Sequence, residues 1–311
     1  MPALRKARAL RPGDTIGIAT PASPIALQTL EAGEDVIRAL GFEPRRGSAV
    51  TARRGYLAGS DEARAMELME LVRAPDIHAI WCARGGYGSQ RLIPGLDAAV
   101  VRKAAKPLVG YSDVTTLLLW QRRAAGLMGI HGPMLEHEGV TDDHRALARA
   151  LTGVGEPPRL VGRPLLEAPA GGAAMGWREG RLTGGSLSLV VASLGTPWEI
   201  DTRESILLLE EVGEAPYRVD RMLGQLRAAG KLEAAAGIGI GSTVGCEAAD
   251  PESPKLLDVL REILGPIDTP TIVALPFGHG EENMPWPHGG RAAIDPARGE
   301  IELLEHGVAR R

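Results

Sequence analysis

The stretch Lys106-Pro-Leu-Val-Gly-Tyr-Ser-Asp-Val-Thr-Thr-Leu-Leu-Leu-Trp120 constrains the fold of this chain more than any other. Pro107 to Tyr111 is a compact apolar run behind a helix-breaking residue, which predicts a buried strand of a parallel sheet. Asp113 to Ala125 repeats its apolar residues at helical spacing and stops at Gly126, which predicts an amphipathic helix. Ser112 lies on the bend between the two. A serine there stands at the carboxyl edge of the sheet, and the amide of Asp113 follows the direction of the helix dipole. The bend therefore presents a nucleophile and half an oxyanion hole together. The same pattern suits a serine that only caps a helix. Gly110-Tyr-Ser-Asp-Val114 also lacks the second glycine of the usual nucleophile elbow.

The surrounding pattern is an alternation. Asp14–Thr20, Phe42–Arg46 and Ile77–Ala83 predict strands, and Ile25–Leu40 and Ser60–Val72 predict helices, the second opening on the capping residues Ser60-Asp61-Glu62. Alternating strands and helices imply a parallel sheet with right-handed crossovers, whose ligands gather beyond the carboxyl ends of the strands. Two such ends carry chemistry: Arg84-Gly-Gly-Tyr-Gly-Ser89 and Ser112. At 311 residues the chain exceeds what one core usually supports, so two domains are expected. Gly, Pro and Ala crowd residues 153–176, which read as a linker between a domain over 1–152 and a second over 177–311. The second half opens with Arg181-Leu-Thr-Gly-Gly-Ser186 and a helix to Leu194. Strands are predicted at Ser205–Glu210, Gly237–Val244 and Thr271–Leu275, and helices at Val219–Ala229 and Pro254–Leu264. Gly290–Asp295 and Glu300–Leu304 predict a closing pair of strands.

Charge excludes several functions. With 35 basic against 39 acidic residues the formal charge is −4, which argues against a nucleic-acid surface or a polybasic membrane contact. The basic segment Arg5–Arg11 runs into Pro12-Gly13 and reads as a solvated strand or turn. No apolar run reaches the roughly 18 residues of a membrane helix, and the start lacks the apolar core of a signal peptide. Cys82 and Cys246 stand far apart without metal-binding spacing. A cytoplasmic, reducing setting is the expectation.

A serine nucleophile needs a base, and the base needs an acid to orient it. His279 is the best-placed histidine: it follows a buried strand, and Gly278 and Gly280 let the backbone aim its ring. His131 and His137, flanking Gly132-Pro133, are second choices that packing or surface roles suit equally. For the acid, Glu210 and Glu211 close the Ser205–Glu210 run, with Glu214 a third option. Gly85 or Gly86 would supply the second oxyanion amide, since their bare backbones allow close approach. Arg84-Gly-Gly-Tyr-Gly88 is neither a Walker loop nor a dinucleotide fingerprint. His131, Glu136 and His137 form the one potential metal cluster and fit no ligand spacing. Neither metal nor cofactor is expected.

Together the motifs resemble the LD-carboxypeptidase family of serine peptidases, which includes muramoyl-tetrapeptide carboxypeptidases and microcin C immunity peptidases. The resemblance rests on Thr20-Pro-Ala-Ser23, Arg84-Gly-Gly-Tyr-Gly88, Gly110-Tyr-Ser-Asp113, Leu208-Leu-Glu-Glu-Val-Gly-Glu-Ala-Pro-Tyr-Arg-Val-Asp-Arg221 and Leu275-Pro-Phe-Gly-His-Gly280, in the family's order. Gly184-Gly-Ser-Leu187 with Leu194-Gly-Thr196 adds a sixth segment. The resemblance implies Ser112 as nucleophile, Glu210 as acid and His279 as base, with oxyanion amides at Asp113 and at Gly85 or Gly86. It implies an α/β fold: a Rossmann-like parallel-sheet N-terminal domain, a smaller β-rich α/β C-terminal domain, and an active site at their interface. Members often carry Asn at the position of Ser186 and Asp at that of Glu211, so the choice of Glu210 over Glu211 rests on motif position. The implied activity is removal of the terminal D-alanine from murein tetrapeptides through an acyl-enzyme, by a homodimer whose partner is a small muropeptide, with no nucleic acid or membrane involved. An immunity-type hydrolase of peptidyl or aminoacyl nucleotides is the alternative. Its relatives carry an aromatic residue on a long loop, and here Trp177 lies near that region while the linker is short. A muropeptide sensor without turnover is the non-enzyme alternative.

Overall fold

Ala79–Cys82 is apolar at every position and buried throughout, as a strand covered on both faces must be. It lies inside a six-stranded sheet in the order Trp286–His288, Gly129–His131, Leu108–Val109, Ala79–Cys82, Thr15–Ala19, Glu43–Arg46. All neighbours run parallel except Trp286–His288, which is antiparallel to Gly129–His131. The computed structural model describes residues 4–136, 139–166 and 176–309 and divides into two units. This sheet belongs to the first, which comprises Met1–Glu156, Pro285–Gly289 and His306–Arg311. Its core gathers Ile16, Ile18, Trp81, Val109 and Ile130. The helix Leu27–Ala39 follows the first strand. Asp61–Arg73 follows Ser60, whose side chain accepts from the Ala63 amide at 3.2 Å. Helices at Ala98–Ala104 and Asp142–Thr152, neither of them expected from the sequence, complete the unit's longer helices, and the second buries Leu147, Ala150 and Leu151 on one face.

The helix expected over 113–125 is built of three pieces. A 3₁₀ turn at Ser112–Val114 leads into an α-helix at Thr115–Trp120 and a π-turn at Gln121–Ala125, closed by Gly126 at φ +60°. The amide of Gly126 reaches the Gln121 carbonyl, and the Gln121 side-chain amide holds the Met128 carbonyl at 3.1 Å. The basic segment near the start contributes Ala7–Arg8, paired in parallel with Val308–Ala309.

The second unit, Pro157–Met284 and Gly290–Glu305, holds an eight-stranded sheet. Its centre is parallel: Arg178–Ser186, Ser205–Glu210, Gly237–Ile240 and Thr271–Val273. Arg291–Asp295, Glu300–Leu303 and Arg159–Val161 extend one edge antiparallel, and Arg163–Pro164 pairs at the other. Helices Leu187–Ala192, Pro216–Ala228 and Leu256–Leu264 accompany these strands.

Two expectations are corrected here. Residues 153–176 are not simply a linker: Arg159–Val161 and Arg163–Pro164 are strands at opposite ends of the second unit's sheet. Short edge strands tolerate Gly162 and Pro164, which mask them in a sequence pattern. Nor does 177–311 stay together. Pro285–Gly289 and His306–Arg311 return to the first unit, where Trp286 is fully buried beside Gly129–His131. Among the described residues, no helix is long and apolar enough to cross a membrane.

Candidate active site

Ser112 has φ +57°, the left-handed region that a side chain rarely enters. Such a conformation costs on the order of 1–3 kcal/mol and persists only where its surroundings fix it. Three neighbours do so. A Cβ on Gly110 would meet Val114 Cγ1 at 2.8 Å, so only glycine lets the first helical turn fold back on the strand. A Cβ on Gly85 would lie 2.9 Å from Ser112 Cβ and 3.0 Å from its Oγ, which places the Gly85 backbone directly against the serine side chain. Asp113 is buried, and its Oδ2 accepts from the Ser89 amide at 2.7 Å, tying the 85–89 loop to the bend. Burial pushes the Asp113 carboxyl up, while hydrogen bonds from Ser89 and Gly88 pull the other way.

The helix Asp61–Arg73 braces the same loops from behind. Arg64, 1% exposed, donates to the carbonyls of Pro21 and Gly88, the latter at 3.0 Å. Glu67, also 1% exposed, accepts from the amides of Thr20 and Ala49, each at 2.8 Å. Burial pushes the Glu67 carboxyl up. Ser23 completes the link: its amide donates to the Gly85 carbonyl at 3.2 Å, and its Oγ accepts from the Tyr87 amide at 3.3 Å. Gly86, at φ +105°, packs against the Ser23 side chain.

His131 is packed rather than presented. It is fully buried and stacks on Trp286 with ring centroids 4.7 Å apart, 13° from coplanar, while the Tyr111 ring, tilted by 60°, has its centroid 5.8 Å away. Glu136 is paired with Arg84 at 3.3 Å. His137 lies outside the described residues.

In the second unit, Glu210 Oε2 stands 2.6 Å from His279 Nδ1. A carboxylate only accepts, so Nδ1 is the donor in this contact, and in the neutral imidazole that tautomer leaves the lone pair on Nε2. The Glu210 side chain is fully buried and the His279 side chain is 19% exposed. Glu210 Oε1 has no hydrogen-bond partner among the described residues. Gly278, at φ +106°, makes the contact possible: a Cβ there would sit 2.8 Å from Glu210 Oε2. The Gly278 amide donates to Asn283 Oδ1 at 3.0 Å, and the Met284 amide to the Pro276 carbonyl at 2.9 Å. Ala274, at φ +58°, starts the loop.

Glu211 points elsewhere. Its Oε2 accepts from the Ser188 amide at 2.7 Å and its Oε1 from the Val212 amide at 3.0 Å, so it caps the helix Leu187–Ala192. Burial pushes its carboxyl up. Glu214 is ion-paired with Arg218 at 3.1 Å on the next helix. Ser186 lies in register with Glu210, and its Oγ is 3.0 Å from that of Ser188. Trp177 carries Arg298 over its ring at 6.0 Å.

The LD-carboxypeptidase N-terminal domain family matches residues 16–132 and the corresponding C-terminal domain family matches residues 179–294. A probable murein peptide carboxypeptidase of Bacillus subtilis is 36% identical, over 98% of this chain and 95% of its own length. A murein tetrapeptide carboxypeptidase of Pseudomonas aeruginosa is 35% identical, over 91% of this chain and 94% of its own. The crystal structure of a muramoyltetrapeptide carboxypeptidase from Oxalobacter formigenes superposes with a TM-score of 0.82 at 27% identity, covering 93% of this chain and 97% of that one. The chain belongs to the LD-carboxypeptidase family. It is a serine-type peptidase with that family's mixed α/β architecture.

Some residues that shape this candidate site in the LD-carboxypeptidase carry no motif. Arg64 and Glu67 sit in an amphipathic helix, where charged residues normally face water, and only their burial reveals the bracing role. Asn283 lies in Glu281-Glu-Asn-Met284, which reads as surface loop. Gly184, by contrast, lies in the Gly184-Gly-Ser-Leu187 segment; at φ +128° a Cβ there would run into the Leu208 carbonyl. Among the described residues no group of three or more His, Cys, Asp or Glu could hold a metal ion.

Proposed function

We propose that this peptidase hydrolyses the LD-peptide bond that releases terminal D-alanine from murein tetrapeptides, with Ser112 as nucleophile and the Glu210–His279 pair as its base. The 2.6 Å contact between Glu210 and His279 carries the reading, because it fixes the tautomer a general base needs. His279 Nε2 takes the Ser112 hydroxyl proton as Oγ attacks the scissile carbonyl carbon. The amide of Asp113 and one amide of the Gly85–Gly86 pair receive the developing oxyanion. The C–N bond breaks, His279 gives its proton to the amine of the departing D-alanine, and an acyl-enzyme remains on Ser112. Water, deprotonated by the same histidine, then releases the shortened peptide. Glu210 stabilises the imidazolium in both halves.

The names of the Bacillus, Pseudomonas and Oxalobacter relatives support the murein substrate. Incubation of the purified protein with a disaccharide-tetrapeptide and, separately, with an aminoacyl sulfamoyl adenylate, followed by mass spectrometry, tests it. Loss of one alanine residue from the tetrapeptide is expected, and cleavage of the adenylate alone would replace this reading with the nucleotide-directed one. No turnover of either, with saturable muropeptide binding, would favour a sensor.

A further inference from the structure

A cleft of about 520 Å³ opens in the first unit beside the Arg84–Ser89 loop. That volume is within the range of small-molecule sites. Its walls include Ser23, Arg53, Tyr56 and Arg84, and they contain two cations and no acid. Arg53 is exposed and makes no hydrogen bond or ion pair among the described residues, whereas Arg84 is already engaged by Glu136 and by the Pro24 carbonyl. Tyr56 is 65% exposed and its ring meets the edge of Tyr87 at 5.7 Å, which holds a large aromatic surface upright in water. An unpartnered guanidinium beside an exposed aromatic ring suits a ligand that joins a carboxylate to an apolar stretch.

The cleft is also wired to the nucleophile. Arg84 precedes Gly85, whose backbone rests on the Ser112 side chain, and Ser23 lines the cleft while bonding Gly85 and Tyr87. We propose that this cleft is a substrate subsite in which Arg53 binds a carboxylate of the peptide and Tyr56 packs against its apolar part. The inference rests on the peptide substrate proposed above. Two carboxylates qualify: an internal one, on the γ-linked D-glutamate, and the terminal one.

Calorimetry on Ser112→Ala protein, which binds without turnover, separates them. Three tetrapeptides are compared: the free acid, one amidated at the internal carboxylate, and one amidated at the terminus. Adding Arg53→Gln should weaken the free acid about tenfold, the loss expected for one charge-assisted hydrogen bond. It should matter much less for whichever amide removes the recognised carboxylate, and Arg53→Lys should restore part of the affinity. Equal weakening of all three peptides, or none, would overturn the subsite. Wild-type protein that hydrolyses no tetrapeptide would refute the substrate reading instead. The subsite is then judged by titrating citrate into ¹⁵N-labelled Ser112→Ala protein: saturable shifts of the Arg53 side-chain and Tyr56 amide signals support an anion site, and their absence rejects it.

Discussion

The bend that carries Ser112 and the loop that carries His279 reach their positions by different means. At the bend the backbone itself is held in an unfavourable conformation, φ +57° at a serine, and buried groups from a neighbouring helix and loop keep it there. In the 274–284 loop the histidine is aimed by a side-chain partner, and a glycine at φ +106° makes room for that partner. The bend fixes the proposed attacking atom with backbone strain. The loop fixes the proposed proton acceptor with a carboxylate. Removing the hydroxyl at the first should therefore take away the proposed nucleophile, and neutralising or displacing Glu210 at the second should leave His279 without its carboxylate partner.

The largest effect is expected at the bend. Ser112→Ala should cut turnover by on the order of 10⁴-fold or more while the thermal transition stays within a few degrees, since Ser112 is only half-buried. Steady-state kinetics with calorimetric melting checks both halves. Next comes Glu210→Gln, which keeps the shape and removes the charge. It should lower kcat by roughly 10²- to 10⁴-fold with little change in KM. Gly278→Ala should cost about ten- to a hundredfold in kcat, because the methyl collides with Glu210 and pushes it from His279. A normal rate in that variant would show that the loop tolerates a different aim.

Glu211→Gln should act mainly on stability. Because burial raises the Glu211 carboxyl, its favourable contribution is present below its ordinary value near 4.5 and is lost as pH rises through the raised one. Wild type should therefore lose stability relative to Glu211→Gln as pH increases across that window, in urea melts at a series of pH values. A large fall in kcat with unchanged stability would move the acid by one residue. The smallest effect is expected from EDTA, which should leave turnover within about twofold. Activity lost to EDTA and restored by zinc would instead point to metal chemistry.

The bend was legible in the sequence because local signals agree: an apolar run behind Pro107, a helical period after it, and Gly126 as a stop. The opposite aims of Glu210 and Glu211 also follow from strand alternation. Which of them meets His279 does not, since that depends on the path of the 274–284 loop and on Asn283. Arg178–Ser186 escaped because Gly184 and Gly185 have poor strand propensity, and closeness to Leu208 decides their conformation. Residues 285–289 escaped for a non-local reason: Trp286 is buried against a strand more than 150 residues earlier, and no local period records that. The helix Asp142–Thr152 is short, with Thr141 and His144 forming a capping box where the sequence rule looks for Glu or Gln.

In the proposed mechanism Glu210, through His279, activates Ser112. A phosphonofluoridate labels an activated serine covalently, with the phosphorus–fluorine bond broken and fluoride released, so its rate reports activation without any assumption about substrate. Labelling of wild type, Glu210→Gln and Glu211→Gln, followed by intact mass and peptide mapping, tests the claim directly. One adduct is expected, on Ser112, formed at least a hundredfold more slowly in Glu210→Gln and at a near-wild-type rate in Glu211→Gln. An adduct on another residue, or equal rates in wild type and Glu210→Gln, would contradict it.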